Sequence, residues 1–365
     1  MALPFETVGL FLKLGCVGFG GPLAHLALME QEVVEKRRWL SKERFLEGWA
    51  LCQMLPGPAS TQLGVYIGYV KGGFSGAILT GLAFLLPGFL LMVGLSAVYA
   101  RYGNIPKVQG AFYGISPTVI AIVAFASYRL GVSALTTFPL FGLGAAATLL
   151  TFLFKADTVL VLLLAGLFGV LCDRPPLRGA GLGLLIASPL LPPVSTFGSL
   201  AWIFLKAGAF VYGGGYVVIP FIQGEVVERL GWMTVRTFVD GLAIAQVVPG
   251  PIVNISAFVG YQVAVVPGAV IAAASVFTPA FAFILAAVPL MERLRRSIAV
   301  QAFFKGVNAA AVGAIVGATL PLAKNALVDL PTLGIATLSF LALWRFKVPA
   351  VYLVLASGLL GLLLR

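Results

Sequence analysis

Mostly apolar stretches of about 17–25 residues recur along this chain, from Phe5 to Leu364. As a helix, a stretch of that length crosses a hydrocarbon core of about 30 Å. Only 10% of the 365 residues are charged, whereas a typical soluble domain has about 25%. Runs such as Leu160–Leu164 are apolar on every side and lack the alternation of a membrane β-barrel. The sequence therefore predicts an all-α polytopic membrane protein that lies in a lipid bilayer.

The charged and cysteine residues exclude several other classes of protein. The formal net charge of +11 falls mostly in short loops, as is usual in membrane proteins, so it calls for no nucleic-acid partner. Cys16, Cys52 and Cys172 are too scattered for a disulfide framework or a metal cluster. No HExxH, Walker or Ser/His/Asp pattern occurs. We expect no enzyme, no catalytic residue, no metal and no cofactor.

The chain contains two similar copies of one sequence unit. FLKLG at residues 11–15 matches FLKAG at residues 204–208, and Pro56-Gly57-Pro58 matches Pro249-Gly250-Pro251 in the same register. After a gap of one residue, Phe154-Lys155 still matches Phe346-Lys347. Such repeats are typical of secondary transporters. We predict an N-terminal transporter repeat at residues 1–172, a linker at 173–196 and a C-terminal repeat at 197–365.

Each repeat has the same predicted layout of about five transmembrane helices and one proline-broken segment. The first helix, from Phe5 to about Leu23, has no basic region before it and is interpreted as a span rather than a signal peptide. A charged, amphipathic loop at residues 30–47 precedes the broken segment. Four further spans follow in the first copy, near residues 76–99, 111–130, 135–154 and 158–171.

The orientation of the second copy depends on whether the broken segment crosses the membrane. If that segment is re-entrant, five crossings remain in each copy, and an odd number inverts the second copy relative to the first. The distribution of Lys and Arg between the two sides fits both arrangements. We favour inverted repeats with re-entrant segments, because a helix break inside hydrocarbon survives only where protein or a wet cavity surrounds it.

The broken segment reads QMLPGP at residues 53–58 and QVVPGP at residues 246–251. Pro56 and Gly57 end one helix, and Pro58 suits the first turn of the next. The new helix begins with free N–H groups that carry about half a positive charge and favour an anion. A kink that only shapes packing is the alternative. The predicted ligands are Gln53, Pro56, Gly57, Pro58, Ser60 and Thr61 in the first copy, and Gln246, Pro249, Gly250, Pro251 and Asn254 in the second.

Lys13 and Lys206 occupy matching positions about eight residues inside their predicted spans. No carboxylate lies at the same depth in either span, so two uncompensated ammonium groups predict a dianion as ligand. Snorkelling of the lysines to an interface is the alternative. The neighbouring glycine pairs, at Gly20, Gly21, Gly213 and Gly214, serve either helix packing or backbone N–H contacts to the ligand.

Acidic residues in the charged loops have two interpretations. Glu32 and Glu225 match each other in the repeat, and solvated loop positions explain them most simply. Their repetition also permits a gating or proton-coupling role. His25, the single histidine, has no counterpart because Val218 occupies its place, and we expect it to pack.

Two segments carry a resemblance to a known family. Residues 19–69 read FGGPLAHLALMEQEVVEKRRWLSKERFLEGWALCQMLPGPASTQLGVYIGY, and residues 212–251 read YGGGYVVIPFIQGEVVERLGWMTVRTFVDGLAIAQVVPGP. They resemble the signature region and the C-terminal half of two-domain members of the chromate ion transporter family. The resemblance implies a multi-pass carrier of the prokaryotic inner membrane that exports chromate and confers chromate resistance. Gly215 replaces Pro22 in the second copy, which predicts different tasks for the two halves.

The sequence therefore predicts an alternating-access carrier with one oxyanion site between the repeats. Lys13 and Lys206 supply charge, the half-helix N-termini supply N–H donors, and Gln53 and Gln246 orient the anion. Sulfate or another tetrahedral dianion is the alternative substrate. An anion channel or a lipid-handling membrane protein is the alternative of another class. A homodimer is compatible with the sequence, which leaves the oligomeric state open.

Overall fold

A computed structural model describes residues 4–172, 195–211, 215–290 and 297–365. These residues form fourteen α-helices and contain no β-strand, so the prediction of an all-α protein is confirmed. Gly213 and Gly214, and residues 173–194 of the predicted linker, lie outside the described residues.

The first half contains seven α-helices. A π-helical turn, Gln31–Lys36, continues the second of them. The helices are α1 (Pro4–Val17), α2 (Pro22–Glu30), α3 (Lys42–Met54), α4 (Ala59–Tyr102), α5 (Pro106–Ala134), α6 (Phe138–Leu153) and α7 (Thr158–Cys172).

The second half contains the other seven. A π-helical turn, Gln223–Arg229, follows its second helix, and a 3₁₀ turn, Ile252–Asn254, precedes its fourth. The helices are α8 (Thr196–Ala209), α9 (Val218–Ile222), α10 (Val235–Val247), α11 (Ile255–Ala287), α12 (Ile298–Ala326), α13 (Leu330–Phe346) and α14 (Ala350–Leu364).

Turn chemistry in the sequence sets where these helices begin. Ser41 accepts a hydrogen bond from the N–H of Arg44 at the start of α3, and Thr234 does the same for α10. Pro22 and Pro106 occupy the first turns of α2 and α5, where a missing N–H costs nothing. Asp329 caps α13 in a capping box.

Four segments are long and apolar enough to cross a membrane: Ala59–Tyr102, Pro106–Ala134, Ile252–Ala287 and Ile298–Ala326. Helices α6, α7, α13 and α14 are apolar but shorter, at 15–17 residues. Large apolar side chains such as Phe138 and Leu363 are more than 80% exposed on these helices. Such faces suit contact with lipid tails rather than water, as an integral membrane protein requires.

The predicted first span, residues 5–23, is wrong as one continuous helix. Gly20 and Gly21 have φ of 102° and 80°, values that glycine tolerates best, and they turn the chain back on itself. Arg37, beyond the π turn, lies 3.6 Å from Glu6 near the start of α1. The 14 residues of α1 reach only about 21 Å, so α1, α2 and the π turn form a short hairpin.

The prediction of a charged loop at residues 30–47 is also wrong, because the π turn and α3 make most of this stretch helical.

A second hairpin follows, formed by α3 and the first part of α4. The hydroxyl of Tyr66 donates to the carbonyl of Arg44, and the ammonium of Lys71 lies 4.9 Å from the centre of the Trp39 ring. Both ends of the segment are therefore together, and its tip is the non-helical stretch at residues 55–58.

Helix α4 consists of two segments that meet at a sharp turn. Gly72 and Gly73 leave the helical conformation, and the segments then pack so closely that a Cβ on Gly68 would meet the carbonyl oxygen of Gly76 at 2.4 Å. In α11 the break falls at Ala264 and Val265. The second segments of α4 and α11 are the long apolar helices that run through the molecule.

Helices of the two halves pack against each other through small residues. α12 lies against α6 and α7, and α5 lies against α13 and α14. A Cβ on Gly114 would meet the Ser357 carbonyl at 2.0 Å, and one on Gly313 would meet the Gly144 carbonyl at 2.0 Å. Such close backbone approach between helices is typical of membrane proteins. It makes the two halves one packed unit around the hairpin tips.

Candidate functional site

The two Pro-Gly-Pro tips each bond to the opposite half of the molecule. The N–H of Gly57 donates to the carbonyl of Val211 at 2.7 Å, just beyond α8. The N–H of Gly250 donates to the carbonyl of Gly18 at 2.8 Å, just beyond α1. Gly57 and Gly250 have φ of 128° and 104°, which points each N–H across the interface at little cost for glycine.

The helix break predicted at each tip is confirmed. α3 ends at Met54 and α4 begins at Ala59, with Pro58 as its N-cap. α10 ends at Val247, and Pro251 precedes the 3₁₀ turn that leads into α11. The first N–H groups of the helix after each break have no partner within that helix. Two positive helix ends, one from each half, therefore lie near the interface between the halves.

Amide side chains line both tips. Gln62 Nε2 donates to the carbonyl of Pro56 at 2.7 Å, while Gln62 Oε1 has no partner among the described residues. Asn254 is 2% exposed, and its Nδ2 finds no acceptor in the described part of the chain. A Cβ on Gly88 would meet Asn254 Nδ2 at 2.6 Å, so α4 runs directly past this amide.

Buried hydroxyl groups also follow each tip in the chain. Ser60, Thr61 and Ser256 are at most 1% exposed. Thr61 Oγ1 and Ser256 Oγ have no hydrogen-bond partner among residues that the structure describes. Buried donors without partners are costly, and an oxyanion with several acceptor oxygens would satisfy them. The sequence prediction named Ser60, Thr61 and Asn254 but not Gln62, although its position one turn after Pro58 was a usable signal.

His25 supports the second tip, because it bonds to the same Gly18 carbonyl that receives the N–H of Gly250. Its Nε2 lies 2.9 Å from the carbonyl oxygen of Gly18 and its ring packs edge-on against Phe84. A carbonyl only accepts, so Nε2 carries the proton. The carbonyl of Gly18 thus accepts from both His25 and Gly250. This agrees with the packing role expected for His25.

Lys13 is not an uncompensated ammonium group, contrary to prediction. Its Nζ lies 3.9 Å from Glu32 Oε1, and its side chain is 65% exposed. Glu32 is 6% exposed and accepts from Lys36 at 3.0 Å and from Arg37. Hydrogen bonds from Lys36 and Arg37 hold the pKa of Glu32 below its usual value, although burial opposes them.

Lys206 is paired more tightly. Its Nζ donates to Glu225 Oε1 at 3.0 Å, and its side chain is only 23% exposed. Arg229 pairs with the other oxygen of Glu225. The prediction failed for both lysines because Glu32 and Glu225 lie in buried π-helical turns, not in solvated loops. The hairpin brings each turn alongside the first helix, which spacing along the chain does not reveal.

The other predicted residues are divided between the tips and the surface. Gln246 is partly buried and its Nε2 has no acceptor in the described ranges, whereas Gln53 is exposed. Gly20 and Gly21 form the turn of the first hairpin. Within the described residues, no hydrogen bond or ion pair joins Lys13 or Lys206 to a tip.

Comparison with known proteins decides the family. The family model described as chromate transporter matches the chain twice, at residues 5–170 and 198–362. The chain belongs to the chromate transporter family. The chromate transport protein of Cupriavidus metallidurans is 37% identical over 98% of this chain and 92% of its own length. A probable chromate transport protein of Synechococcus elongatus is 36% identical over 97% and 93%, respectively. No solved structure matches the chain.

The polar tips rather than the apolar cavity suit an oxyanion. A cavity of about 210 Å³ lies between α6, α7 and α12, lined by apolar residues such as Leu143 and Phe168. A dianion there would lose its hydration without gaining a donor. The tips offer backbone N–H groups, hydroxyls and amides from both halves, and they are the candidate substrate site.

Proposed function

We propose that this protein exports chromate from the cytoplasm of a prokaryotic cell by alternating access. The substrate site would lie between two inverted repeats, where both Pro-Gly-Pro tips meet. One observation carries the proposal: the reciprocal hydrogen bonds from Gly57 to Val211 and from Gly250 to Gly18. They join equivalent positions of the two halves, as expected for a site on a pseudo-twofold axis.

The helix bounds support the repeats. α3 and α10 are both 13 residues long, and α5 and α12 are both 29 residues long. The breaks after α3 and α10 fall at matching Pro-Gly-Pro positions. The double match of the family model at residues 5–170 and 198–362 agrees with repeats at residues 1–172 and 197–365.

Contacts between the halves support inversion. The second segment of α4 starts at the end of the molecule where the hairpins of the first half open. Helix α5 returns to that end and α6 runs away from it again, so the α6–α7 loop lies at the opposite end. Lys155 in that loop lies 3.5 Å from Glu228, at the opening of the hairpin in the second half. Tyr113 near the start of α5 donates to Asp329 at 2.7 Å, and Arg365 lies over its ring. Each contact is expected if the two sets of hairpins open on opposite sides.

Substrate binding would use donors from both halves. The first turn of α4 and the 3₁₀ turn before α11 would supply N–H groups, with Thr61, Asn254 and Ser256 as side-chain donors. Gln62, whose Nε2 already donates to the carbonyl of Pro56, would hold the first tip in place. Gln246 would orient the anion. Lys13 and Lys206 would contribute once they separate from Glu32 and Glu225. These two carboxylates would therefore act as gates, because Glu225 binds Lys206 directly and Glu32 lies 3.9 Å from Lys13.

Export of a dianion needs no further energy source in a cell whose interior is negative. Each charge gains about 2.3 kcal/mol per 100 mV, and a dianion gains roughly twice that. This energetic argument supports the proposed direction of transport, and membership of the family supports the proposed inner-membrane location.

The decisive experiment measures uptake of labelled chromate into proteoliposomes under a membrane potential. For Asn254→Ala, we expect at least a tenfold loss of apparent affinity, about 1.4 kcal/mol, because a buried donor is removed. Asn325→Ala is the matched control, since Asn325 is exposed and bonds only within α12. Wild-type protein that moves no chromate would refute the function, and an unaffected Asn254→Ala protein would refute the site.

The same assay separates the alternatives. Sulfate that competes with chromate at equal concentration would favour a general oxyanion carrier. Counterflow and saturation are expected of alternating access, and their absence would favour a channel. A dependence on lipid composition without anion flux would favour a lipid-handling protein.

Side-specific labelling tests the topology. In a background without Cys16, Cys52 and Cys172, single cysteines at Ser41 and Lys71 should react with an impermeant maleimide from one side. A cysteine at Thr234 should react from the other side. Reaction of all three from one side would refute inversion.

A further inference from the structure

A buried carboxylate lies between the halves and belongs to neither the Lys13–Glu32 pair nor the Lys206–Glu225 pair. Asp240 in α10 is 3% exposed. The hydroxyl of Tyr99 in α4 donates to its Oδ2 at 2.8 Å. Its Oδ1 has no hydrogen-bond partner among the described residues. One acceptor atom of this side chain is therefore buried and unused.

The corresponding position in the first half is different. Glu47 stands there in the sequence repeat, and it is exposed. The buried acid is thus specific to one half. Neither the repeat symmetry nor the general layout of the helices requires an acidic residue at this position.

The surroundings of Asp240 provide little compensation for a negative charge. Arg236, one turn earlier on α10, acts on it through space without an ion pair. Tyr99 is the titratable group that faces it from α4. Helices α5, α11, α12 and α14 and the π turn Gln223–Arg229 also pack against α10. The charged groups of that turn have other partners in the described part of the chain: Glu225 pairs with Lys206 and Arg229, and Glu228 pairs with Lys155. A carboxylate with one donor and one empty oxygen in such a site favours binding of a proton.

The position of Asp240 connects it to the tip. α10 leads directly into Gln246 and the Pro-Gly-Pro tip of the second half. The ring of Tyr99 packs edge-on against Phe112 of α5 and Phe258 of α11, with centroids 5.6 and 5.4 Å away. The Tyr99–Asp240 hydrogen bond therefore joins the long helix of one half to the hairpin of the other. Any movement between the halves must strain or break it.

We propose that Asp240 is a proton-binding site linked to the transport cycle. A proton from water adds to Oδ1 and forms a neutral carboxylic acid while the hairpin is packed against Tyr99. When the hairpin moves away and Oδ1 meets water, the O–H bond breaks and the proton leaves. Chromate export would then carry protons in the opposite direction or be regulated by them. The proposal extends the proposed function, but proton binding itself can be measured without transport.

Proton binding is tested by infrared difference spectra of the purified protein between about pH 5 and pH 8. We expect a protonated carboxyl band that is absent in Asp240→Asn and retained in Glu47→Gln, the matched control from the other half. A wild-type band that survives Asp240→Asn would overturn the assignment. This readout is independent of whether chromate is the substrate.

Linkage is tested by the pH profile of chromate flux in proteoliposomes at constant membrane potential. We expect wild-type flux to change about tenfold over the titration and Asp240→Asn flux to change less than twofold. In Tyr99→Phe, the profile should move to higher pH, since a hydrogen bond that favours the carboxylate is lost. If Asp240→Asn does not fold, Tyr99→Phe decides. A profile that is unchanged in the variants that fold would overturn the linkage.

Discussion

The two lysine–glutamate clusters occupy equivalent places in the halves but differ in their pairing. Lys206 donates directly to Glu225 and is 23% exposed, whereas Lys13 is 3.9 Å from Glu32 and is 65% exposed. The reason lies in the π turns. Two cations, Lys36 in the turn and Arg37 just beyond it, already bind Glu32, while Glu225 receives Arg229 from its own turn.

This difference shows that equal sequence positions need not have equal roles. In the second half, the lysine is part of the structure that holds the hairpin closed. In the first half, it is close to its carboxylate but free to bind something else. In a single conformation, Lys206 is thus bound to its carboxylate while Lys13 is available to another ligand. Such a difference is expected if the two halves have unequal roles.

The largest expected difference concerns removal of each lysine. Lys206→Met leaves Glu225 buried with Arg229 alone, and we expect a loss of about 3 kcal/mol of unfolding free energy. Lys13→Met should cost less than about 1 kcal/mol, as for exposed pairs. Thermal unfolding of both variants in the same detergent measures the contrast. Equal losses would contradict the asymmetry of the two clusters.

A smaller difference is expected between the two tips. A Cβ at Gly57 would lie 2.7 Å from Gln62 Nε2 and 2.9 Å from Ala280 Cβ, whereas one at Gly250 meets only Asn254 Nδ2, at 3.2 Å. Strained backbone costs about 1–3 kcal/mol. Gly57→Ala should fall at the upper end of that range and Gly250→Ala at the lower end.

The same unfolding assay applies to the glycine variants, with Gly94→Ala as control because no atom lies near a Cβ there. A larger loss for Gly250→Ala than for Gly57→Ala would show that the second tip is the tighter one.

Much of the fold could be predicted because its causes are local. Apolar length predicted helices near residues 111–130 and 158–171, and the structure has Pro106–Ala134 and Thr158–Cys172. The break at Pro56-Gly57-Pro58 was predictable because proline and glycine act on their own backbone. Gly20 and Gly21 were recognised too, but as packing or ligand residues. Composition alone indicates one span at residues 5–23, but the turn at Gly20 and Gly21 makes this stretch part of a hairpin.

The site could be predicted only in part, because pairing across a hairpin depends on tertiary structure. Lys13 and Glu32 are separated along the chain by 19 residues, as are Lys206 and Glu225. No helical periodicity relates residues at that distance. Asp240 was missed for a similar reason. Its hydrogen-bond partner Tyr99 is 141 residues away, and a lone aspartate in the middle of α10 belongs to no motif.

The smallest predicted difference lies at the base of the second hairpin in each half. Lys71 lies over Trp39 in the first half, whereas Val263 and Trp232 stand at the matching positions of the second half. The backbone is held alike at the two tryptophans, since the backbone N–H groups of Trp39 and Trp232 donate to the carbonyls of Val33 and Val226 at 2.7 and 2.8 Å.

Lys71→Met should therefore cost about 0.5–1 kcal/mol, as expected for an exposed cation–π contact. Val263→Lys should gain part of that amount, because Val263 and Trp232 stand at the repeat positions of Lys71 and Trp39. Thermal unfolding measures both, and Lys324→Met, an exposed lysine at the end of α12, corrects for loss of charge. If Val263→Lys lowers the free energy of unfolding as much as Lys71→Met does, the two hairpin bases differ in more than the presence of the Lys71 ammonium group.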